Sequence, residues 1–363
     1  MNILIFFLVL FVLVLVHEFG HFITAKRTGM RVDEFGIGFP PKLFGIRKGE
    51  TEYTFNLLPI GGFVKIFGED AVDAVDVPDR ERSFVAKSKL RQSIVLVAGV
   101  VMNVLLAWAL FSVALGVGVQ SAVSEEEAGD SARLVVTGIL PDGPAAEAGL
   151  REGSVLIEAQ SGADIATGLT PTSFSDFVES HAGKAIQLTY QQGEKETSTT
   201  LTARTNVIAG ESSRFAVGVA LSLVDVVRIP PHVAVYDGFL LTVISLRDIV
   251  VGISQLLWDT LNFNADLSQV AGPVGIVGLV GEATAFGFTS LLMFTAFISL
   301  NLAVINLLPF PALDGGRLLF VVIEAVKGSP INPKYVHILN TAGFALLLLL
   351  MVAVTYNDIA RIL

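Results

Sequence analysis

The first sixteen residues, Met1–Val16, carry no charge and one polar side chain, Asn2, and the run closes on His17-Glu18-Phe19-Gly20-His21. Apolar residues resume beyond it, so Asn2 to Ala25 reads as one membrane-spanning helix, which takes about 20 apolar residues. An ionisable group inside such a helix costs at least about 2.5 kcal/mol and marks function. A helix ending at the headgroups would account for one polar residue, but not for three at this spacing. Positions i and i+4 share a helix face, so both imidazoles can reach one ion. Glu18, next to the first of them, is placed to take a proton from a metal-activated water. The run does not read as a secretory signal peptide: it lacks a basic n-region and a small-x-small cleavage site, and its charge lies inside.

The rest of the chain agrees with a bilayer as solvent. Of 363 residues, 52% are hydrophobic and 16% charged, against about 25% charged in a soluble domain; mean hydropathy is +0.67. There is no cysteine, so disulfides and thiolate–zinc sites are excluded and a zinc ion must be held by His and carboxylate. The net charge of −10 argues against nucleic acid as a partner. Further spans are predicted at Ser93–Val119, Phe286–Leu308 and Val336–Val354. The first two spans enclose twelve Lys and Arg residues, which makes that segment cytoplasmic and puts both termini outside. Residues 232–258 are apolar but carry Asp237, Arg247 and Asp248; they are predicted to lie along the outer membrane surface.

Two stretches read as β structure. In residues 29–68, Gly and Pro punctuate short β-type runs at Glu34–Gly38, Glu52–Leu57 and Phe63–Phe67, predicting a small hairpin sheet folded back on the membrane. Residues 122–206 read as a soluble domain, with strands at Leu134–Leu140, Ser154–Ala159, Ala185–Gln191 and Ser198–Ala203. Helices are expected at Ala145–Leu150 and Ser173–His181, and Glu125–Glu127 reads as a solvated linker.

Two imidazoles leave a catalytic zinc site one protein ligand short. Asp314 is the candidate. It lies in Asn306-Leu-Leu-Pro-Phe-Pro-Ala-Leu-Asp-Gly-Gly-Arg317, directly after the third span, where Pro309 and Pro311 break the helix. Gly315 and Gly316 permit a tight turn that aims the carboxylate inward. One ion requires one depth, so the first and third spans must run in the same direction.

These residues together resemble the bacterial site-2 proteases, and in particular the regulator of sigma-E protease group. The resemblance covers most of the chain. It is carried by the His17–His21 motif, Gly61-Gly62-Phe63-Val64-Lys65, Gly99 to Asn103, Gly272-Pro273-Val274-Gly275-Ile276, Asn306 to Gly316 and Tyr356-Asn357-Asp358-Ile359. It implies an intramembrane zinc protease of the bacterial inner membrane. Residues 137–160 resemble a PDZ domain, with Gly138-Ile139-Leu140 as its peptide-binding loop and strand and Gly143 to Leu150 as the following turn and helix. Two departures are present: Gly153-Ser154 stands where Gly-Asp is usual, and there is room for one PDZ domain where many relatives carry two. The resemblance also implies that the Gly61–Lys65 edge holds an unwound substrate as an added strand, which restores the backbone hydrogen bonds lost on unwinding. Asn306 would pin that substrate near the zinc. Asn103, midway down the second span, either braces the site or joins helices, with the second reading favoured. His181, His232 and His337 have no ligand spacing and read as structural.

The expected fold is thus a polytopic α-helical membrane protein with four transmembrane helices, a membrane-associated β-hairpin region and one inserted soluble PDZ domain of α+β type. The divisions are 1–121 (first membrane half), 122–206 (PDZ domain, outside), 207–285 (linker and interfacial segment) and 286–363 (second membrane half). The expected activity is zinc-dependent hydrolysis of a peptide bond in or near the transmembrane segment of single-span membrane proteins, such as anti-sigma factors or remnant signal peptides. His17, His21 and Asp314 hold the zinc and Glu18 is the base. A catalytically inactive membrane-anchored PDZ adaptor is the alternative, opposed by the intact Glu18. A zinc transporter would need ligands spread along a pore.

Overall fold

The computed structural model describes residues 2–69, 79–193, 195–207, 214–262 and 271–362. They divide into two units, one of Met1–Gly116 with Pro230–Leu363 and one of Val117–Ile229.

The first unit is helical. Its long helices are α1 (Asn2–Arg27), α2 (Lys89–Val117), α5 (Pro231–Leu261), α7 (Phe288–Leu307) and α9 (Pro333–Ile362). Among the described residues these five are long and apolar enough to cross a membrane, one more than the four expected. The addition is α5. It runs antiparallel to α2, with Ala234 at Gly116 and Gly238 at Ser112; Phe239 stacks edge-on against Trp108, whose indole donates to the Val235 carbonyl. Its apolar stripe then joins α7 around Ile249, Ala296 and Leu300. The segment expected to lie on the membrane surface is therefore a helix packed lengthwise on two others.

A short helix, α6 (Pro273–Ala285), has no counterpart among the sequence expectations. Its N-terminus has no side-chain cap of its own. Asp358, buried near the end of α9, accepts from Gly272 N–H at 3.1 Å and Gly275 N–H at 2.8 Å instead. Two orphan amide groups of the first turn are thereby satisfied. Further along α6, Gly281 meets Asn2 at the start of α1. Since α7 begins only a few residues later, α1 and α7 start at the same end of the unit and run in the same direction. That is the parallel course that the shared ligand depth demands, and α6 secures it whatever path α5 takes.

The hairpin region comprises β1 (Val32–Lys48) and β2 (Thr51–Ile66), longer than the runs expected. Thr51–Asn56 pairs with Lys42–Lys48 on one side and with Glu34–Ile37 on the other, and Glu34–Ile37 pairs in turn with Gly62–Lys65. The two strands so make a four-rung sheet with Gly62–Lys65 as an edge. No other strand pairs with that edge among the described residues.

The second unit is a β sheet with strand order β3-β9-β4-β5-β7-β8 and β6 beside β5. The strands are β3 (Val119–Ala122), β4 (Arg133–Ile139), β5 (Val155–Ser161), β6 (Asp164–Thr167), β7 (Ala185–Gln192), β8 (Lys195–Thr202) and β9 (Val219–Val227). Helices α3 (Pro144–Glu147) and α4 (Pro171–Ser180) complete it. Alternating residues such as Leu134, Val136, Ile186 and Leu188 form its core. The unit exceeds the 122–206 expected. Strand β9, beyond the polar stretch around residue 210, lies between β3 and β4 and is integral to the sheet. Glu125 is more than a linker residue: its carboxylate accepts from Thr172 N–H in the first turn of α4 at 2.9 Å.

Candidate metal centre

His17 and His21 lie on one face of α1, both buried. They fit because the neighbouring helix has no side chains where they stand. A Cβ at Gly99 of α2 would lie 2.5 Å from His21 Nε2 and 2.6 Å from His17 Cε1. A Cβ at Gly20 of α1 would lie 2.5 Å from the Ala98 carbonyl oxygen. Two glycines on facing helices thus let the backbones approach closely, as small residues do in membrane bundles, and the vacated space holds the imidazoles.

Asp314 opens α8 (Asp314–Lys327). Helix α7 stops at Leu307 because Pro309 and Pro311 cannot continue it. The chain turns through Ala312, at φ 75°, and Leu313 is the N-cap. Asp314 is therefore not the cap, and its carboxylate is free to face α1. Gly315 and Gly316 do not make the turn expected of them. They lie in the first turn of α8, under the returning chain, where a Cβ would sit 2.2 Å from Leu308 O or 2.1 Å from Phe310 O. Arg317 pairs with Glu69 and Glu324 with Lys89, fastening α8 to the end of β2 and the start of α2.

The result is a triangle of donor atoms. His17 Nε2 lies 2.9 Å and His21 Nε2 3.2 Å from Asp314 Oδ2, and the two Nε2 atoms are 3.1 Å apart. Among the described residues this is the group of His and carboxylate side chains whose ligand atoms could hold an ion. Zinc bonds of about 2.0–2.1 Å set tetrahedral ligand–ligand edges of about 3.3–3.4 Å. The triangle is within a few tenths of an ångström of that and leaves a fourth corner open, so the donor set fits zinc. His21 Nδ1–H donates to the Val95 carbonyl at 2.8 Å, which leaves the Nε2 lone pair pointing at the triangle.

Glu18 is half-buried beside the triangle. With Val14, His17, Leu302, Asn306 and Asp314 it lines a cavity of about 220 Å³. The Asn306 amide has no hydrogen-bond partner among the described residues and borders this cavity. The Gly61–Lys65 edge runs past the same turn of α1: a Cβ on Gly61 would lie 3.1 Å from Val14, and one on Gly62 3.9 Å from Glu18 Cγ. Residues from α1, β2, α7 and α8, far apart in sequence, thus converge here.

Other expected site residues lie apart. Gly138 and Ile139 are on β4, paired to Ala220 and Val219 of β9. The apolar hollow of the β unit lies instead between Val217–Leu221 and α4, around Phe174 and Val178; Leu140 borders it, Gly138 and Ile139 do not. His181 is held within its own unit by Asp164 and the Phe177 carbonyl. Asn103, favoured as a helix–helix link, has its amide 3.3 Å from His17 Nδ1.

The model of peptidase family M50 matches residues 5–350. A relative from Clostridium perfringens is 36% identical over 96% of this chain and 95% of its own length. The zinc metalloprotease RasP of Oceanobacillus iheyensis is 31% identical over 98% of both chains. The regulator of sigma-W protease RasP of Bacillus subtilis is 30% identical over 99% of both. A solved PDZ domain from Listeria monocytogenes is similar to 24% of this chain and 85% of its own length, at 19% identity and a TM-score of 0.21. The helices and the near full-length match make the chain a multi-pass membrane protein, and it belongs to peptidase family M50, the site-2 protease family of zinc metalloproteases.

Proposed function

We propose that the chain hydrolyses a peptide bond in or next to the transmembrane segment of single-span membrane proteins, at a zinc ion held by His17, His21 and Asp314. The observation that carries this reading is the meeting of those three donor atoms beside Glu18 at one cavity on an apolar helix. Zinc in this donor set supplies Lewis acidity, polarising a carbonyl and making water a nucleophile near neutral pH. Glu18 takes the proton of the attacking water and returns it to the leaving amine. The Gly61–Lys65 edge receives the unwound substrate as an added strand, and the Asn306 amide, which borders the cavity, holds its backbone beside the metal. The positive-inside distribution puts both termini and the β unit outside a bacterial inner membrane. We read the β unit as a PDZ-type filter on substrate access. By likeness to the Bacillus subtilis regulator of sigma-W protease, the substrate class includes membrane-anchored regulators of sigma factors.

The test is purified protein in detergent with a single-span substrate and metal analysis alongside. Glu18→Gln should keep its zinc and lose about 10²–10⁴-fold in rate. Asp314→Asn should lose zinc and cleavage together, since a neutral amide is a poorer ligand. Loss of zinc from the Glu18 variant, or full zinc in the Asp314 variant, would overturn the assignment of roles.

A further inference from the structure

Asn103 is fully buried on α2, and its side-chain oxygen is the buried polar atom without a hydrogen-bond partner among the described residues. The other end of the same amide lies 3.3 Å from His17 Nδ1. The backbone of Asn103 is held separately, by Ser299 Oγ of α7 donating to its carbonyl at 2.8 Å. The side chain is therefore not needed to join those two helices.

The oxygen and nitrogen of an amide exchange places on a half turn, and their assignment follows from the hydrogen bonds they make. With the NH₂ toward His17, Nδ1 must be the acceptor. A neutral imidazole then carries its proton on Nε2, the atom that points at Asp314 and His21, and it cannot be a ligand. With the oxygen toward His17, Nδ1–H donates to it and the Nε2 lone pair faces the triangle. The turn leaves one buried polar group unpaired in either case, so the metal decides between the two. His21 supplies the precedent within the same site: its Nδ1–H is held by the Val95 carbonyl. The two histidines then have matching outer partners, one from the α2 backbone and one from an α2 side chain, four residues apart on the histidine helix and eight apart on α2.

We propose that Asn103 is a positioning residue of the metal centre, accepting His17 Nδ1–H through its side-chain oxygen and so fixing the tautomer and ring plane in which Nε2 binds zinc. This rests on the reading of His17, His21 and Asp314 as the ligands. Outer partners of metal-bound histidines are worth roughly 10–100-fold in metal affinity. The same side chain explains why an amide is kept at the centre of an apolar helix, where it would otherwise be an expense.

The experiment is zinc affinity of the purified, folded chain in detergent, by competition with a chelator, together with the visible absorption of the Co²⁺-substituted protein. Asn103→Leu, close in shape and without an acceptor, should bind zinc about 10–100-fold more weakly and show an altered Co²⁺ spectrum. Asn103→Asp keeps an acceptor and cannot donate when ionised, so it should hold affinity within about threefold and retain the spectrum. Ser299→Ala removes the helix link and should leave both readouts unchanged. If Asn103→Leu does not fold, the Asp variant decides alone: a tenfold or greater loss of affinity there means that the amide donates, and the proposal falls. Affinity in the folded Leu variant equal to that of the parent also overturns it. If the parent chain itself binds no zinc, or if His17→Ala binds as the parent does, the ligand assignment fails first and is recognised as a separate failure.

Discussion

Gly99 in the helical unit and Gly193 in the β unit are the same residue used for opposite reasons. At Gly99 the backbone is ordinary helix and the surroundings are full: a Cβ would meet two imidazoles within 2.7 Å. At Gly193 the surroundings are empty, with nothing within 4 Å of a Cβ, and the backbone is left-handed at φ 61°. The β unit obtains its stability from a core of alternating apolar side chains and needs glycine to turn between strands. The helical unit has lipid-like residues on every side, so apolar burial distinguishes its interior poorly. Close approach and a few committed polar groups do that work instead. One expectation follows from the contrast. Substitution in the helical unit should strike chemistry, and substitution in the β unit should strike stability.

The largest effect is therefore expected at Gly99. His21 is tied through Nδ1 to Val95 O and cannot swing aside without giving up that bond. Gly99→Ala should displace both imidazoles, lowering zinc content and cleavage by about 100-fold or more, on the scale of losing a catalytic group, while the chain still elutes as a folded protein. Gly193→Ala should cost about 1–2 kcal/mol of β-unit stability, the usual penalty for a left-handed backbone with a Cβ, and leave zinc content unchanged. Equal zinc loss in both, or none at Gly99, breaks the comparison.

Helix caps sharpen it at smaller scale. In the β unit α4 is capped locally: Thr170 accepts from Ser173 N–H and the Ser173 hydroxyl returns the bond, with Pro171 at the first helical position. In the helical unit α6 is capped by Asp358, 86 residues away. Thr170→Ala should cost about 1 kcal/mol with unaltered zinc binding. Asp358→Ala leaves two amide groups without their acceptor and should cost about 1–2 kcal/mol. Because α6 sets where α7 starts beside α1, it should also lower the rate of cleavage. Thermal unfolding and cleavage measured side by side check this. A cleavage rate as high as that of the parent would show that α6 does not hold the register of α7.

The same contrast decides what could be read in advance. That His17, Glu18 and His21 come together was legible because ligand spacing on a helix is local, and that Asp314 joins them because two prolines mark an interruption just after a span. Strands β4, β5, β7 and β8 were legible from alternation. Strand β9 was not, since a polar Gly- and Ser-containing stretch precedes it and its partners β3 and β4 lie far back in the chain. Helix α6 has 13 residues, too few to register as a span. Nothing local tells which neighbour Asn103 faces, or that Gly272 and Gly275 lack side chains to admit Asp358. Those are facts of helix–helix approach, and the apolar pattern is nearly the same on every face. Gly138 and Ile139 end β4, within the strand expected at Leu134–Leu140, and of the three residues Leu140 borders the hollow beside α4; that hollow depends on the pairing with β9, which nothing local reveals.

The smallest effect belongs to an exposed charge in the β unit. Glu125 accepts from the Thr172 amide at the start of α4, and that hydrogen bond holds its carboxyl below the usual glutamate range. A carboxylate at a helix N-terminus interacts favourably with the unpaired amide groups there. A folded-state pKa below the unfolded one means that the stabilisation is fully present above the unfolded value, about 4.3, and is lost as pH falls through the folded value. Glu125→Gln keeps an oxygen acceptor for Thr172 and loses only the charge. It should lower the melting temperature of the β unit at pH 7 by about one or two degrees. The difference should shrink below about pH 4, and also in high salt, which screens an exposed site. Zinc content and cleavage should not move. A gap between parent and variant that persists unchanged at low pH would mean that the contact acts through side-chain geometry and not charge. A change in zinc content would carry more weight, because it would couple the β unit to the metal centre and remove the separation of roles on which the comparison stands.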